Sequence, residues 1–235
     1  MTDHRIVSRD EWVSARRRLL KKQKEFLHLR DQLSIERREL PWERVEKRYV
    51  FEGPAGEETL ADLFAGRGQL IVYHFMYAPE WDAGCRGCSF WADSYNGIIP
   101  HLNQRDVSLA AISRAPLAKL QAFAARMGWD FRWVSAANSD FNFDYQVSFK
   151  PEDVAQGTAV YNYARYEESM PDKPGFSVFL KDEAGGIFHT YSTFARGLDP
   201  MNVAFQLLDL VPKGCDEAGL PHPMSWVKLR DLYST

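Results

Sequence analysis

The sequence predicts an α/β fold layered about a mixed sheet and preceded by a helical extension. Three observations carry that prediction. An early segment free of Gly and Pro repeats apolar residues at a helical interval; short β-rich runs then alternate with helix-compatible ones; and two late β-rich runs are joined by a turn. Strand–helix alternation builds parallel neighbours and a late hairpin adds antiparallel ones, so the sheet is mixed.

The helical extension opens at Ser8-Arg9-Asp10-Glu11, a capping box in which a hydroxyl serves the orphan amides and a carboxylate three residues on reaches back. Trp12, Leu19, Phe26, Leu33 and Leu40 recur at the heptad interval up to Pro41, with Ala15 and Leu29 between them. This is one apolar stripe on a long helix, either continuous or divided in two. Its other faces carry Arg16, Arg17, Arg18, Lys21, Lys22 and Lys24, a solvated face or a basic patch for a partner.

Arg44–Phe51 reads as a strand, Gly53-Pro54-Ala55-Gly56 as a turn and Leu60–Phe64 as a short helical turn ended by Gly66 and Gly68. Gln69–Met76 is a nearly continuous apolar run, as expected of a central strand covered on both faces. Ser89–Leu102 carries a helix interrupted near Gly97 and Pro100. Val107–Ser113 is a strand, and Pro116–Met127 a helix with Pro in its first turn. Phe176–Leu180 and Ile187–Tyr191 form a hairpin about Asp182-Glu183-Ala184-Gly185-Gly186. Asn202–Leu210 is a closing helix, and the segment after Pro212 is expected to wrap the surface. The division predicted is a helical arm (1–41), one α/β domain (42–211) and a tail (212–235).

At 235 residues and 45% apolar composition the chain is long enough for a sizeable core and is not disordered in character. A net charge of −3 supplies no basic field for nucleic acid or anionic membrane. The longest apolar run, Leu70–Tyr77, is far too short to span a bilayer, and the first residues lack the apolar core of a secretory signal. A cytoplasmic location is therefore expected, where thiols stay reduced. With only three cysteines there is no disulfide framework.

Two of those cysteines, Cys85 and Cys88, are spaced C-x-x-C directly after the apolar strand and before a helix. The crevice beyond a strand's carboxyl end is where α/β sites collect. A sulfur at a helix start faces unpaired amides, and Arg86 adds a positive charge; both favour thiolate. Residues three apart share a helix face, so Cys88 can reach Cys85. Cys85 is the candidate nucleophile and Cys88 the candidate resolving thiol, with Gly84 and Gly87 leaving room for a partner. Two other readings stand beside redox chemistry: inert structural cysteines, or half of a metal site. For the latter no second C-x-x-C exists, and His74, His101, His189 and His222 show no ligand-type pairing. No metal and no bound cofactor is expected, because the sulfurs are themselves the redox centre.

These residues resemble the thioredoxin superfamily, more particularly its peroxiredoxin-like branch. Phe51–Phe64 is similar to the hairpin and turn that open such domains, and Leu70–Phe75 to the strand before the active-site loop. Ala111-Ile112-Ser113, Leu117–Gly128 and Val134-Ser135 are similar to the strand–helix–strand unit that follows. The resemblance implies a thioredoxin-like three-layer fold with a central mixed sheet. It also makes Pro174, before Gly175-Phe176-Ser177, a candidate for the superfamily's cis-proline, an ordinary trans proline being the alternative. Over nearly its whole length the chain resembles a bacterial family catalogued as domain of unknown function 899 and described as predicted dithiol–disulfide oxidoreductases. The matching phrases are LPWERVEKRYVF, QLIVYHFM, GCRGCSFWAD, SRAPLAKLQAF, MGWDFRWVS, SDFNFDY, FHTYSTFARGLD and PMSW.

The activity so implied is thiol–disulfide exchange on a protein or small-molecule thiol or disulfide. The alternatives are a thiol peroxidase, in which Pro79 only faintly echoes the peroxiredoxin pattern, and a non-catalytic or metal-holding binding module. Supporting candidates are Trp81 and Trp91 as an apolar platform, Asp82, Glu80 or His74 as a base, and Arg86. Each carries a plainer reading as packing or a solvated charge. Arg114 is read as an anion-stabilising or a surface arginine. The aromatic set Phe141, Phe143, Tyr145, Tyr161, Tyr163 and Tyr166 is read as pocket lining or core, and Cys215 as a spectator. The uncovered stripe of the arm suggests a homodimer.

Overall fold

The computed structural model describes residues 4–234; Met1–Asp3 and Thr235, the outermost residues of the expected arm and tail, lie outside the described residues. The chain divides after Pro41 into two compact units. The first is one helix, α1 (Arg9–Arg38), uninterrupted over 30 residues. Its capping box forms as the sequence predicts: the Glu11 amide donates to the Ser8 hydroxyl at 3.3 Å, and the Ser8 amide to the Glu11 carboxylate at 3.0 Å. Asp10 and Glu11 in the first turn and Arg37 and Arg38 in the last complement the helix dipole. A single helix has nothing of its own to cover the stripe of Trp12, Leu19, Phe26 and Leu33.

The second unit runs in the order β1 (Glu43–Arg44), β2 (Val50–Gly53), β3 (Gly56–Thr59), α2 (Leu60–Leu63), β4 (Gln69–His74), α3 (Arg86–Ala92), α4 (Tyr95–Asn103), β5 (Val107–Ser113), α5 (Leu117–Met127) and β6 (Arg132–Ser135). It continues through α6 (Phe141–Asp144), α7 (Pro151–Gln156), the small hairpin β7 (Val160–Tyr161) and β8 (Ala164–Arg165), then β9 (Gly175–Lys181), β10 (Ile187–Phe194) and α8 (Val203–Leu208). Short 3-10 turns occupy Ala195–Met201 and Arg230–Leu232.

Eight strands form one sheet in the order β1-β10-β9-β4-β5-β6-β2-β3. β4 and β5 are parallel neighbours joined through helices, while β9 pairs antiparallel on the other side of β4 and β10 lies outside β9. That is the mixed α/β sheet that the sequence predicts. Because successive strand residues face opposite sides, β4 divides the core. Leu70 and Val72 join Phe51, Leu63, Phe64, Ile112, Val134 and Phe179 on one side. Tyr73 and Phe75 join Trp91, Tyr95, Phe123, Trp129, Trp133 and Phe176 on the other, together with Cys88.

Three expectations are corrected. Arg44–Phe51 is not one strand: β1 pairs with β10 at one edge and β2 with β3 and β6 at the other. The charged residues between them lack alternation, and Lys47 is drawn off by the carboxylates of Asp140 and Asp144 at 2.9 and 2.7 Å. The helix after the dithiol breaks at Asp93-Ser94 rather than at Gly97 or Pro100, both of which lie within α4. There the Ser94 hydroxyl donates to the Trp91 carbonyl at 3.0 Å and Asp93 accepts the Trp129 indole at 2.9 Å, local bonds that compete with helix continuation. The segment after Pro212 does not only wrap the surface, since Val227 and Leu229 are buried.

Candidate functional site

Beyond β4 the chain stays buried through Phe75, Met76, Tyr77 and Ala78 before emerging at Pro79 and Glu80. It returns at Gly84, where any side chain would collide: a Cβ there would lie 2.8 Å from the Phe75 ring and 2.9 Å from that of Phe123. Gly84 thus lets the backbone press against two core aromatics. The Cys85 amide then donates to the Met76 carbonyl at 3.0 Å, which stitches the sulfur-bearing residue to the end of the strand.

Cys85 caps α3. Its sulfur accepts the Cys88 amide at 3.5 Å, and its carbonyl accepts both the amide and the hydroxyl of Ser89 at 2.9 Å. Both cysteines are free thiols, Cys85 half-buried and Cys88 only 3% exposed. The hydrogen bond from the Cys88 thiol, then the Cys88 and Gly87 amides and the Arg86 charge, outweigh burial and bring the Cys85 thiol down to about 7. Cys88 goes the other way: burial, then the neighbouring Cys85, push it well above the ordinary thiol range. Its sulfur accepts the Met76 amide at 3.4 Å, and its carbonyl accepts the Tyr73 hydroxyl at 3.2 Å. The arrangement is asymmetric: one sulfur is ionisable near neutrality and reachable, and the other is protonated behind it.

Of the supporting candidates, Arg86 is exposed beside Cys85, and Trp81 packs half-buried against the same aromatic cluster. The Trp81 carbonyl accepts Lys119 Nζ at 2.8 Å. The Asp82 side chain is exposed; its carbonyl accepts the Tyr77 hydroxyl at 3.2 Å. Trp91 is buried, with its indole donating to the Leu198 carbonyl at 2.8 Å, so it is packing rather than platform.

His74 is not brought to the sulfurs. It shares the β4 face of Leu70 and Val72, and its ring bonds Asn142 at 3.2 Å and Ser177 at 2.8 Å. Burial lowers its pKa to about 4, so it stays neutral. Pro174 is not cis, since no cis peptide bond occurs among the described residues. It sits where the chain enters β9 in register with β4, and its carbonyl accepts the Tyr161 hydroxyl at 2.8 Å.

Arg114 is neither at the dithiol nor a free surface charge: its Nε lies 2.7 Å from Asp172 Oδ1 and its guanidinium sits over Phe143. The aromatic set separates. Phe141 is core, Tyr161 and Tyr166 pack on Phe149, and Tyr145 and Tyr163 line a cavity with Tyr49, His189 and Ser192. Cys215 is half-buried in the tail. Among the described residues no three His, Cys, Asp or Glu side chains cluster as metal ligands would, and no helix is long and apolar enough to cross a membrane.

Sequence reasoning missed the contribution of the tail. A Cβ on Gly87 would lie 3.6 Å from Cys85 Sγ and 3.5 Å from Met224 Cε, so the sulfur and the Met224 methyl both border Gly87. One carboxylate oxygen of Glu217 holds this segment, accepting the Met224 amide at 2.8 Å and the Trp226 indole at 2.7 Å. Trp226 meets Phe90 of α3 edge-on at 5.4 Å. Nothing local signals this, because the pairing joins residues remote in sequence. Also missed was Tyr95, whose buried hydroxyl has no hydrogen-bond partner among the described residues.

Comparison with known proteins gives three findings. No curated protein matches the sequence. Solved structures similar to it include the peroxidoxin BcpB of Mycobacterium tuberculosis, at 15% identity and a TM-score of 0.46 over 72% of this chain and 97% of that one. A structure of peroxiredoxin Q from Xanthomonas campestris is similar at 15% identity and a TM-score of 0.45, again over 72% of this chain and 97% of its own. Residues 1–233 match the model of a bacterial protein family of unknown function, DUF899, and the chain belongs to that family.

Proposed function

We propose that the protein is a dithiol–disulfide oxidoreductase in which Cys85 attacks and Cys88 resolves. The observation that carries this reading is the asymmetry of the pair: a half-buried thiol lowered to about 7 stands one helical turn ahead of a fully buried thiol pushed upward. The Cys85 thiolate attacks one sulfur of a disulfide, forming a mixed disulfide and expelling the other sulfur as a thiolate that takes up a proton. Cys88 then loses its proton and attacks Cys85 Sγ; the Cys85–Cys88 bond forms, and the second substrate sulfur leaves as a thiol. Two electrons pass from the pair to the substrate. No cofactor enters.

Trp81, Phe90 and Met224 pack half-buried against the same aromatic cluster as Cys85, an apolar surface on which a thiol or disulfide partner can rest. The chemistry suits a reducing, cytoplasmic setting, and the apolar stripe of α1 suits a homodimer, which light scattering at high protein concentration tests.

The deciding experiment is trapping. Cys88→Ser should accumulate a mixed disulfide on Cys85, while Cys85→Ser should accumulate none, and intact mass should fall by two hydrogens when the wild-type pair oxidises. Trapping on Cys88 instead of Cys85 would reverse the roles. Rapid consumption of peroxide with a sulfenic acid at Cys85, in the absence of disulfide turnover, would replace exchange by peroxidase chemistry.

A further inference from the structure

On the sheet face opposite the dithiol, a cavity of about 520 Å³ is lined by Glu43, Tyr145, Tyr163, His189, Ser192 and Phe194 among others. Its volume lies within the roughly 300–1,000 Å³ usual for small-molecule sites. Inside it, Ser192 Oγ lies 2.7 Å from His189 Nε2, and His189 Nδ1 lies 3.4 Å from Glu43 Oε2. We propose that Ser192, His189 and Glu43 form a second site, a nucleophilic triad that transfers the acyl group of a small carboxylic ester to water.

The backbone is built to bring these groups together. In a regular strand, residues three apart point to opposite faces. β10 carries a bulge: His189 pairs with Phe179 and Ser192 with Ser177, while Tyr191 pairs with Val178, so Thr190 is the extra residue. That one insertion turns His189 and Ser192 to the same face, the re-aiming for which bulges are used beside active sites. Glu43 enters from β1, directly opposite His189 in the ladder. The ring is held by the edge of Tyr145 at 5.2 Å and by Phe179 at 5.6 Å. Nucleophile, base and orienting carboxylate thus follow in hydrogen-bonding order within a cavity.

Ser192 also has support from behind. Its oxygen lies 2.9 Å from Ser177 Oγ, which lies 2.8 Å from His74 Nε2, and His74 Nδ1 lies 3.2 Å from Asn142 Oδ1. Ser192 has one proton to place, on Ser177 or on His189. When His74 donates to Ser177 and Ser177 donates to Ser192, the Ser192 proton is left to point at His189, the reactive arrangement. As oriented, Asn142 Oδ1 accepts from His74 Nδ1, which leaves Nε2 to accept from Ser177; the reactive sense therefore requires a half-turn of the Asn142 amide that presents its nitrogen to His74. Asn142 and Ser177 are therefore positioning residues.

In the acylation step Ser192 Oγ bonds to the ester carbonyl carbon while its proton passes to His189 Nε2. The alkoxy bond then breaks, and the departing alcohol takes that proton. Water attacks the acyl-serine, gives its proton to Nε2 and releases a carboxylic acid, and the proton returns to Ser192. No electron transfer is involved, so the site works independently of the sulfurs.

The test uses the full chain with Cys85, Cys88 and Cys215 all changed to Ser, so that no thiol reacts with the reagents. A fluorophosphonate probe should label Ser192, located by peptide mass spectrometry, and p-nitrophenyl acetate should be hydrolysed with saturation. Ser192→Ala and His189→Gln should each lower that hydrolysis by at least about 100-fold, the span of general-base assistance. Glu43→Gln, at an exposed position that does not endanger folding, should lower it by a smaller factor. Absence of label on Ser192 in folded protein overturns the proposal. Hydrolysis unchanged by Glu43→Gln and by Ser192→Ala does the same. Loss of mixed-disulfide trapping in the wild-type background would bear only on the dithiol.

Discussion

Replacing Cys88 tests the electrostatics of the dithiol most directly, because the largest influence lowering the Cys85 thiol is the hydrogen bond from the Cys88 thiol. At pH 7 a thiol titrating at about 7 is half ionised, whereas one at the ordinary 9.0 is about 1% ionised, a ~50-fold difference in thiolate. Lower basicity weakens each thiolate: a Brønsted slope of about 0.4–0.5 over two units costs roughly 6- to 10-fold. The net advantage of Cys85 at neutral pH is then about five- to eight-fold, and it reverses at about pH 8, where an ordinary thiol is already about a tenth ionised. Because the thiol is the lowered group, reactivity should fall as pH drops through about 7 and level off above it. The assay is iodoacetamide alkylation of Cys85 across pH, read by peptide mass spectrometry. Cys88→Ala removes the donor and should move the midpoint upward; Cys88→Ser keeps a hydroxyl donor and should hold it nearer the wild-type value. A wild-type midpoint near 9, or one indifferent to Cys88→Ala, would refute the reasoning.

Gly84→Ala should destabilise by about 1–3 kcal/mol in urea unfolding, since the added methyl meets two core rings that cannot both retreat. Arg114→Ala should cost about 3–5 kcal/mol by the same measurement, because the buried Asp172 loses its ion-pair partner, whereas replacing both residues by apolar ones should cost less. Tyr95→Phe removes a buried hydroxyl with no hydrogen-bond partner among the described residues and should leave stability unchanged or raise it by about 1 kcal/mol in thermal unfolding. A large loss would mean that the hydroxyl has a partner in solution.

The parts of the fold that were legible are those whose pattern is local. Val107–Ser113 emerges with its expected bounds, and the helix expected over Pro116–Met127 starts one residue later at Leu117, with Pro116 as its cap. The dithiol was placed because an apolar strand, a glycine and two cysteines follow one another directly. His74 was harder: in the run Leu70–Tyr77 both faces are apolar, so alternation could not say which side faces the sulfurs. The 43–51 segment failed because edge pairing of two residues leaves almost no periodic trace. The bulge at Thr190 has no glycine to mark it, and the Glu217 grip on the tail joins groups that no spacing rule connects. Long-range hydrogen bonds, rather than propensity, decided each of these.

The position of Leu229 in the cluster that encloses Cys88 has a consequence for biosynthesis. A ribosome releases the two sulfurs far ahead of the segment that covers their side of the sheet. The nascent chain therefore carries both sulfurs before the apolar cluster that holds Cys88 can be completed.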